Sequence, residues 1–349
     1  MTAPSAFAAD PLRTMRAVRL ACQLNFVIEP ETLTAASRAA PALRQVSPDR
    51  VGREIEYIFS APRAAHGVRL LDRCGLIDVC FPVLVEGRDI GQPPVHLHEV
   101  YEHSLASSGW MDVLLTEEVS GLSGNERGIW EATWQGSDWI DTRWGPLAAH
   151  LNTHGTALRL AALLHDIGKP RSLTSDLAGR TRFLGHAELG AELAAEQLRQ
   201  WRLPSALIER VGVLVAQHLR PGQVATLGEA PTQHALYRFQ KALGDATPDA
   251  CFLFLADSLG TVGAGMLMEG WRNYLAHVRQ IIYWQPAPSS AGIQRLVDGN
   301  QVISATGLRP GPAIGRLLAA IHEAAATGEI ATVDAALSLA RRLAQDAAS

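Results

Sequence analysis

TALRLAALLHDIGK, residues 156–169, reads as a helix of largely apolar residues that closes on His165-Asp166-Ile167-Gly168-Lys169. The segments around it repeat the pattern. GHAELGAELAAEQLRQW (185–201) and SALIERVGVLVAQH (205–218) have helical spacing, and another helix starts after Thr247-Pro248 and runs through CFLFLADSLG. Upstream, Asp10-Pro11 and Ser47-Pro48 are start signals, each pairing a capping residue with a proline at the first turn. Downstream, Pro312 opens a helix that Gly328 closes, and Thr332 caps a last one. Strand-like alternation is absent, so an all-α fold is expected.

RDIGQPPVH (88–96) reads as a linker because of its glycine and paired prolines. Residues 107–155 depart from the helical pattern. They hold Trp110, Trp130, Trp134, Trp139 and Trp144 among Gly, Ser, Asp and Asn, and read as a long inserted loop packed on the domain by its tryptophans. Three regions follow: 1–90, 91–285 with the insertion, and 286–349.

Composition excludes several classes. Across 349 residues the apolar share is 47% and the charged share 19%, so the chain is not disordered. No apolar run reaches the ~18 residues of a membrane span, and the opening MTAPSAFAADPLRTMR lacks a basic secretory start. The net charge of −4 argues against nucleic-acid binding by bulk charge alone. Cys22, Cys74, Cys80 and Cys251 form no CxxC pair and suit reduced thiols in a cytoplasm. Residues 91–285 are the acidic part, with 15 basic against 20 acidic side chains, and carry ten of the 12 histidines. Acid and imidazole together point to cations as the local partner.

Adjacent His165 and Asp166 project about 100° apart on a helix and can reach one ion if the helix end faces a cavity. Imidazole with carboxylate suits Mn, Fe, Ni, Co or Zn, and a carboxylate can bridge two ions. Gly168 lets the chain turn away, and Lys169, one of only two lysines, adds positive charge beside the site. Alone, such a pair fits an ordinary hydrogen-bonded couple equally well. His103, His186, His218 and Asp257 also fall in largely apolar helical segments. His66, His96, His98, His150, His154, His234, His277 and His322 read as structural or solvent-exposed, with His98 a candidate supporting group.

The order H…HD…H…H…D resembles the HD-superfamily metal-dependent phosphohydrolases, in the version with ligands for two metals. The matching positions are His103, His165, Asp166, His186, His218 and Asp257. Residues 9–32, 46–59 and 70–84 resemble the neck and body helices of bacterial tRNA nucleotidyltransferases and poly(A) polymerases. GHAELGAELA, HLRP and residues 307–337 resemble the C-terminal part of the subset with an HD domain. The resemblance implies a helical, neck-like body domain plus an HD-type helical domain. Asp10 and Arg13 match the neck motif that selects the incoming base in that family, with Ala9 where it usually has Glu. No head domain with a Gly-Ser turn and paired carboxylates is recognisable, so no nucleotidyl transfer by this chain alone is expected.

The resemblance therefore implies a hydrolase acting on phosphomonoesters or 2′,3′-cyclic phosphodiesters at nucleotides or RNA ends. Two divalent ions (Mn, Fe, Ni, Co, Mg or Zn) would share Asp166 and supply hydroxide. Asp166 and Lys169 would be catalytic, and Lys169, Arg182 and Arg220 would hold phosphate. The competing reading is an RNA- or tRNA-binding accessory with a structural or inactive metal site, working with a separately encoded head. Arg13, Arg16 and Arg19, at every third position, would then meet phosphates.

Overall fold

The structure is a computed structural model and describes residues 4–116, 119–135, 144–176, 179–263, 266–288, 290–291 and 297–346. It is helical, a helical body together with an HD domain. The chain divides into two compact units, residues 1–222 with 248–278, and residues 223–247 with 279–349.

The centre of the first unit is helix Gly155–Leu164. Nearly every side chain on it is buried, so it has no solvent face and must be enclosed by other helices. Helices Val100–Leu115, Ser205–Gln217 and Pro48–Ser60 surround it. Its buried Arg159 meets Asp112 of the neighbouring helix at 2.6 Å. Asp112 also accepts the Ala65 N–H at 2.7 Å, so one carboxylate links three helices. Burial pushes that carboxyl up to about 6 against the pull of Arg159.

The expected start signals coincide with helix starts. Helix Leu12–Leu24 follows Asp10, whose Oδ1 accepts the Leu12 N–H at 3.2 Å. Helix Pro48–Ser60 begins at its proline, although the Ser47 side chain makes no capping bond. Gly52 on that helix is required by close approach. A Cβ there would lie 1.9 Å from the Trp201 carbonyl oxygen, beyond helix His186–Gln200.

The tryptophan-rich stretch is not an extended loop. It contains the end of Val100–Leu115 and helices Gly124–Trp134 and Trp144–Thr153. One of the polar residues that suggest a loop instead starts a helix: Ser123 forms a reciprocal capping box with Glu126. Trp130 and Trp134 donate to the carbonyls of Thr116 and Leu114, each at 3.0 Å. Trp139 lies outside the described residues. A small hairpin also occurs, Leu173–Ser175 antiparallel to Thr181–Phe183. Three residues per strand are too few to show alternation in sequence.

In the second unit, Val302, Ile314, Leu317, Ile321, Ala336 and Ala340 pack helices Gly299–Thr306, Pro312–Ala326 and Val333–Asp346 together. His234, on helix Gln233–Leu243, reaches Glu323 Oε1 at 2.8 Å through Nδ1 and Glu329 Oε1 at 2.6 Å through Nε2. Facing a carboxylate at each nitrogen, it holds both protons, and the Glu329 and Glu323 hydrogen bonds raise its pKa.

Two outcomes are expected. Gly52→Ala should destabilise the first unit by about 3 kcal/mol in urea melts, because backbone must move to admit the methyl. The raised His234 pKa means that its contribution is fully present below the unfolded value of about 6.5 and is lost as pH rises through the folded value. Amide protection in helix 233–243 should therefore fall above neutral pH, and the dependence should vanish in His234→Gln.

Candidate metal centre

Four imidazoles and two carboxylates meet where five helical segments end or pass. Helix Gly155–Leu164 stops at His165, and Asp166 follows in the tight turn before Lys169–Ser172. His186 opens helix His186–Gln200, His218 closes Ser205–Gln217, His103 sits in the first turns of Val100–Leu115, and Asp257 is inside Thr247–Val262.

Asp166 lies between two histidine pairs. Its Oδ2 is 3.4 Å from His103 Nε2 and 3.2 Å from His165 Nε2. Its Oδ1 is 3.4 Å from His186 Nε2 and 3.7 Å from His218 Nε2. Asp257 Oδ1 adds to the first pair, 3.0 Å from His103 and 3.5 Å from His165. Within the pairs the Nε2 atoms are 3.1 Å (His103–His165) and 3.3 Å (His186–His218) apart. These separations are the edges of coordination polyhedra with metal–ligand bonds of about 2.1 Å.

Backbone carbonyls orient three of the rings. His165 Nδ1 donates to Ala162 O at 3.0 Å, His186 Nδ1 to Phe183 O at 2.6 Å and His218 Nδ1 to Val215 O at 2.7 Å. A carbonyl only accepts, so each Nδ1 carries the proton, and a neutral ring turns a bare Nε2 lone pair inward. Lone pairs facing one another at 3.1–3.3 Å repel unless a cation lies between them.

The charges say the same. Asp166 is 1% exposed, and neither of its oxygens receives a well-directed hydrogen bond. Burial works against ionisation of Asp166 and Asp257, yet the His165 and Lys169 charges hold Asp166, and hydrogen bonds from His103 and His165 hold Asp257, well below the usual range. Burial would lower His165, but Asp166 and Asp257 outweigh it and push its pKa up to about 10. Burial and the neighbouring His165 charge push His218 down to about 4. A buried negative centre thus takes whatever cation is present, a proton on His165 or a metal ion. Donor set and spacing both fit a divalent metal, and His103/His165/Asp166 and Asp166/His186/His218 each cluster tightly enough to hold one.

Lys169 Nζ lies 2.6 Å from Asp166 Oδ2 and donates to Gln92 Oε1 at 2.6 Å. Gln92 in turn donates to the His98 carbonyl, so His98 touches the site through its backbone. Gly168 differs from expectation in its reason. Its φ of −81° suits any residue, but a Cβ would lie 2.2 Å from His186 O and 2.7 Å from Gly190 N. The glycine lets the helix carrying His186 cross against the His-Asp turn.

The remaining sequence candidates lie apart from the six. Arg182 pairs with Asp176 at 3.1 Å in the hairpin, and Arg220 donates to Gln217 Oε1 at 2.9 Å. Arg16 and Arg19 pair with nearly buried Glu54 at 3.3 and 2.9 Å, and Arg13 donates to the Ala6 carbonyl. His96, expected to be structural or solvent-exposed, has its ring 5.4 Å from that of His103, and its buried Nδ1 has no partner. Its position after a Pro-Pro pair was the available signal. His150 and His154 tie helix Trp144–Thr153 to fully buried Asp249, which Arg210 also holds at 2.6 Å.

Comparison with known proteins places this geometry. The HD domain family matches residues 144–261, and the family described as "Probable RNA and SrmB-binding site of polymerase A" matches residues 25–87. The CC-adding tRNA nucleotidyltransferase of Thermus thermophilus is 34% identical over 335 residues, covering 94% of this chain and 65% of that protein. The A-adding tRNA nucleotidyltransferase of Deinococcus radiodurans is 30% identical over 347 residues, covering 97% and 69%. The chain thus spans about two thirds of the length of these relatives. The solved CCA-adding enzyme of Bacillus stearothermophilus in complex with CTP shares the fold, with a TM-score of 0.50 at 20% identity over 98% of this chain and 64% of that one. Among the described residues no helix is long and apolar enough to cross a membrane.

These relatives overturn the expectation of a metal-dependent phosphohydrolase and of a hydrolase class. They are transferases by name, and no support arises for a phosphate-ester substrate or a separately encoded head. The HD motif identifies a domain and a set of ligands, which a fold can keep while the reaction belongs elsewhere. By a match that runs almost end to end along its own length, the chain belongs to the tRNA nucleotidyltransferase family.

Proposed function

We propose that this chain is a tRNA-binding part of a nucleotidyltransferase that acts on tRNA 3′ ends. The observation that carries this reading is the alignment of 97% of the chain with an A-adding tRNA nucleotidyltransferase. The RNA-binding family match over 25–87 adds to it. Residues 1–90 serve as neck and body, 91–285 as the HD domain and 286–349 as the C-terminal helical part. Arg13 is the principal phosphate contact of its helix, because Arg16 and Arg19 are already paired with carboxylates, Arg16 with Asp10 and Glu54 and Arg19 with Glu54.

In the same reading His103, His165, Asp166, His186, His218 and Asp257 hold two divalent ions with Asp166 shared, and the site is structural. Its imidazole-rich set suits Mn, Fe, Co, Ni or Zn better than Mg. A bound ion supplies the positive charge that the buried carboxylates require. The protein orients the rings through backbone carbonyls, and Lys169 neutralises the remaining charge on Asp166.

A tRNA lacking its 3′-terminal nucleotides should shift in a native gel, with affinity falling as salt rises. Arg13→Ala should weaken binding about threefold to tenfold, the loss of one phosphate contact. No shift at micromolar protein in low salt would refute the reading. For the metal, elemental analysis should find about two ions per chain, and Asp166→Asn or Gly168→Ala should lose them. Chelation should lower the Tm by about 5–10 °C, as expected for loss of a ligand near one hundred times its Kd. Binding of tRNA after chelation at a permissive temperature would mark the ions as structural.

A further inference from the structure

Three stretches of the second unit line an open hollow of about 600 Å³. Helix Gln233–Leu243 contributes Tyr237, Gln240 and Lys241, the segment after Met268–Ile282 contributes Trp284 and Pro286, and helix Pro312–Ala326 contributes His322 and Ala326. The volume is that of a small-ligand site.

The walls are built. Trp284 Nε1 donates to Gln233 Oε1 at 2.6 Å, which fixes the indole plane. Gln240 Nε2 donates to the carbonyls of Ile281 at 2.8 Å and Trp284 at 3.1 Å, which fixes the backbone beneath it. The Ala287 N–H donates to Ala326 O at 2.8 Å and closes the far side. Tyr237 stands edge-on to Trp284, ring centroids 6.2 Å apart.

Two polar groups are left for something else. Lys241 Nζ lies 5.4 Å from the Tyr237 ring centroid, and no carboxylate among the described residues pairs with it. His322 Nε2 is buried without a hydrogen-bond partner. Burial, and then the Lys241 charge, lower the His322 pKa, so the ring is neutral at pH 7 and can donate or accept. A void left by loose packing would not strand an imidazole nitrogen beside an unpaired ammonium. An aromatic wall, a directional polar atom and a cation at the rim suit a planar base bearing a phosphate.

We propose that this hollow binds a nucleoside monophosphate unit, its base against Trp284 and Tyr237 and within reach of His322 Nε2, its phosphate on Lys241. The unit is either a free nucleotide or an unpaired nucleotide of an RNA chain. The chemistry is the same, and the residues of the hollow belong to the second unit, those of the metal centre and the neck helix to the first.

The test uses the full chain with AMP and CMP as probes, followed by calorimetry and by fluorescence of the wild type against Trp284→Phe. Lys241→Gln and Tyr237→Ala, at side chains outside the unit's packed centre, should keep the melting temperature. If the free nucleotide is the ligand, AMP or CMP should bind, adenosine or cytidine should bind at least tenfold more weakly, and Lys241→Gln should remove the difference. If an RNA nucleotide is the ligand, mononucleotides should fail while both variants weaken tRNA binding at least threefold with the Arg13 contribution intact. Unchanged mononucleotide and tRNA binding in both variants overturns the proposal. Normal tRNA binding by those variants would leave the proposed function standing, and AMP binding without any tRNA shift would do the reverse.

Discussion

A carboxylate with 1% of its surface exposed stays ionised only if positive charge is held close to it, and Asp166 imposes that demand on everything nearby. The demand is met geometrically. At His165, His186 and His218 the carbonyl three residues earlier, of Ala162, Phe183 and Val215, points each ring at the carboxylate. Those turns converge only because Gly168 allows the backbone around Gly190 to come against the His-Asp turn. Fold and site are thus one arrangement: the close approach of two backbones determines where the charge is satisfied.

Much of this was legible in the chain. The apolar run at 156–164 is the enclosed central helix, and proline start signals mark helices at 48 and 312. The six spaced His and Asp residues do lie together. The failures have physical reasons. Gly and Ser between 107 and 155 suggested loop, but a capping box uses such residues to begin a helix. The 173–183 hairpin is shorter than the window in which alternation can be seen. His96 stands 5.4 Å from His103, ring to ring, after a Pro-Pro segment whose path no helical period encodes.

Function was the least legible property. A His/Asp cluster around a shared carboxylate states which cations a site can hold and leaves the reaction open. Nothing inside the cluster distinguishes an ion that does chemistry from one that ties helices together. What the comparisons supply is the family, through an alignment with tRNA nucleotidyltransferases that runs along nearly the whole chain.

The route of the polypeptide has a bearing on how the molecule is made. It leaves the first unit at residue 222 and returns at 248, bringing Asp257 with it before departing again at 278. During synthesis, then, the four imidazoles and Asp166 emerge well ahead of the second carboxylate. A nascent chain paused near residue 222 holds those five groups without the Asp257 oxygen that sits 3.0 Å from His103, and the sixth group joins them only when the returning helix clears the ribosome.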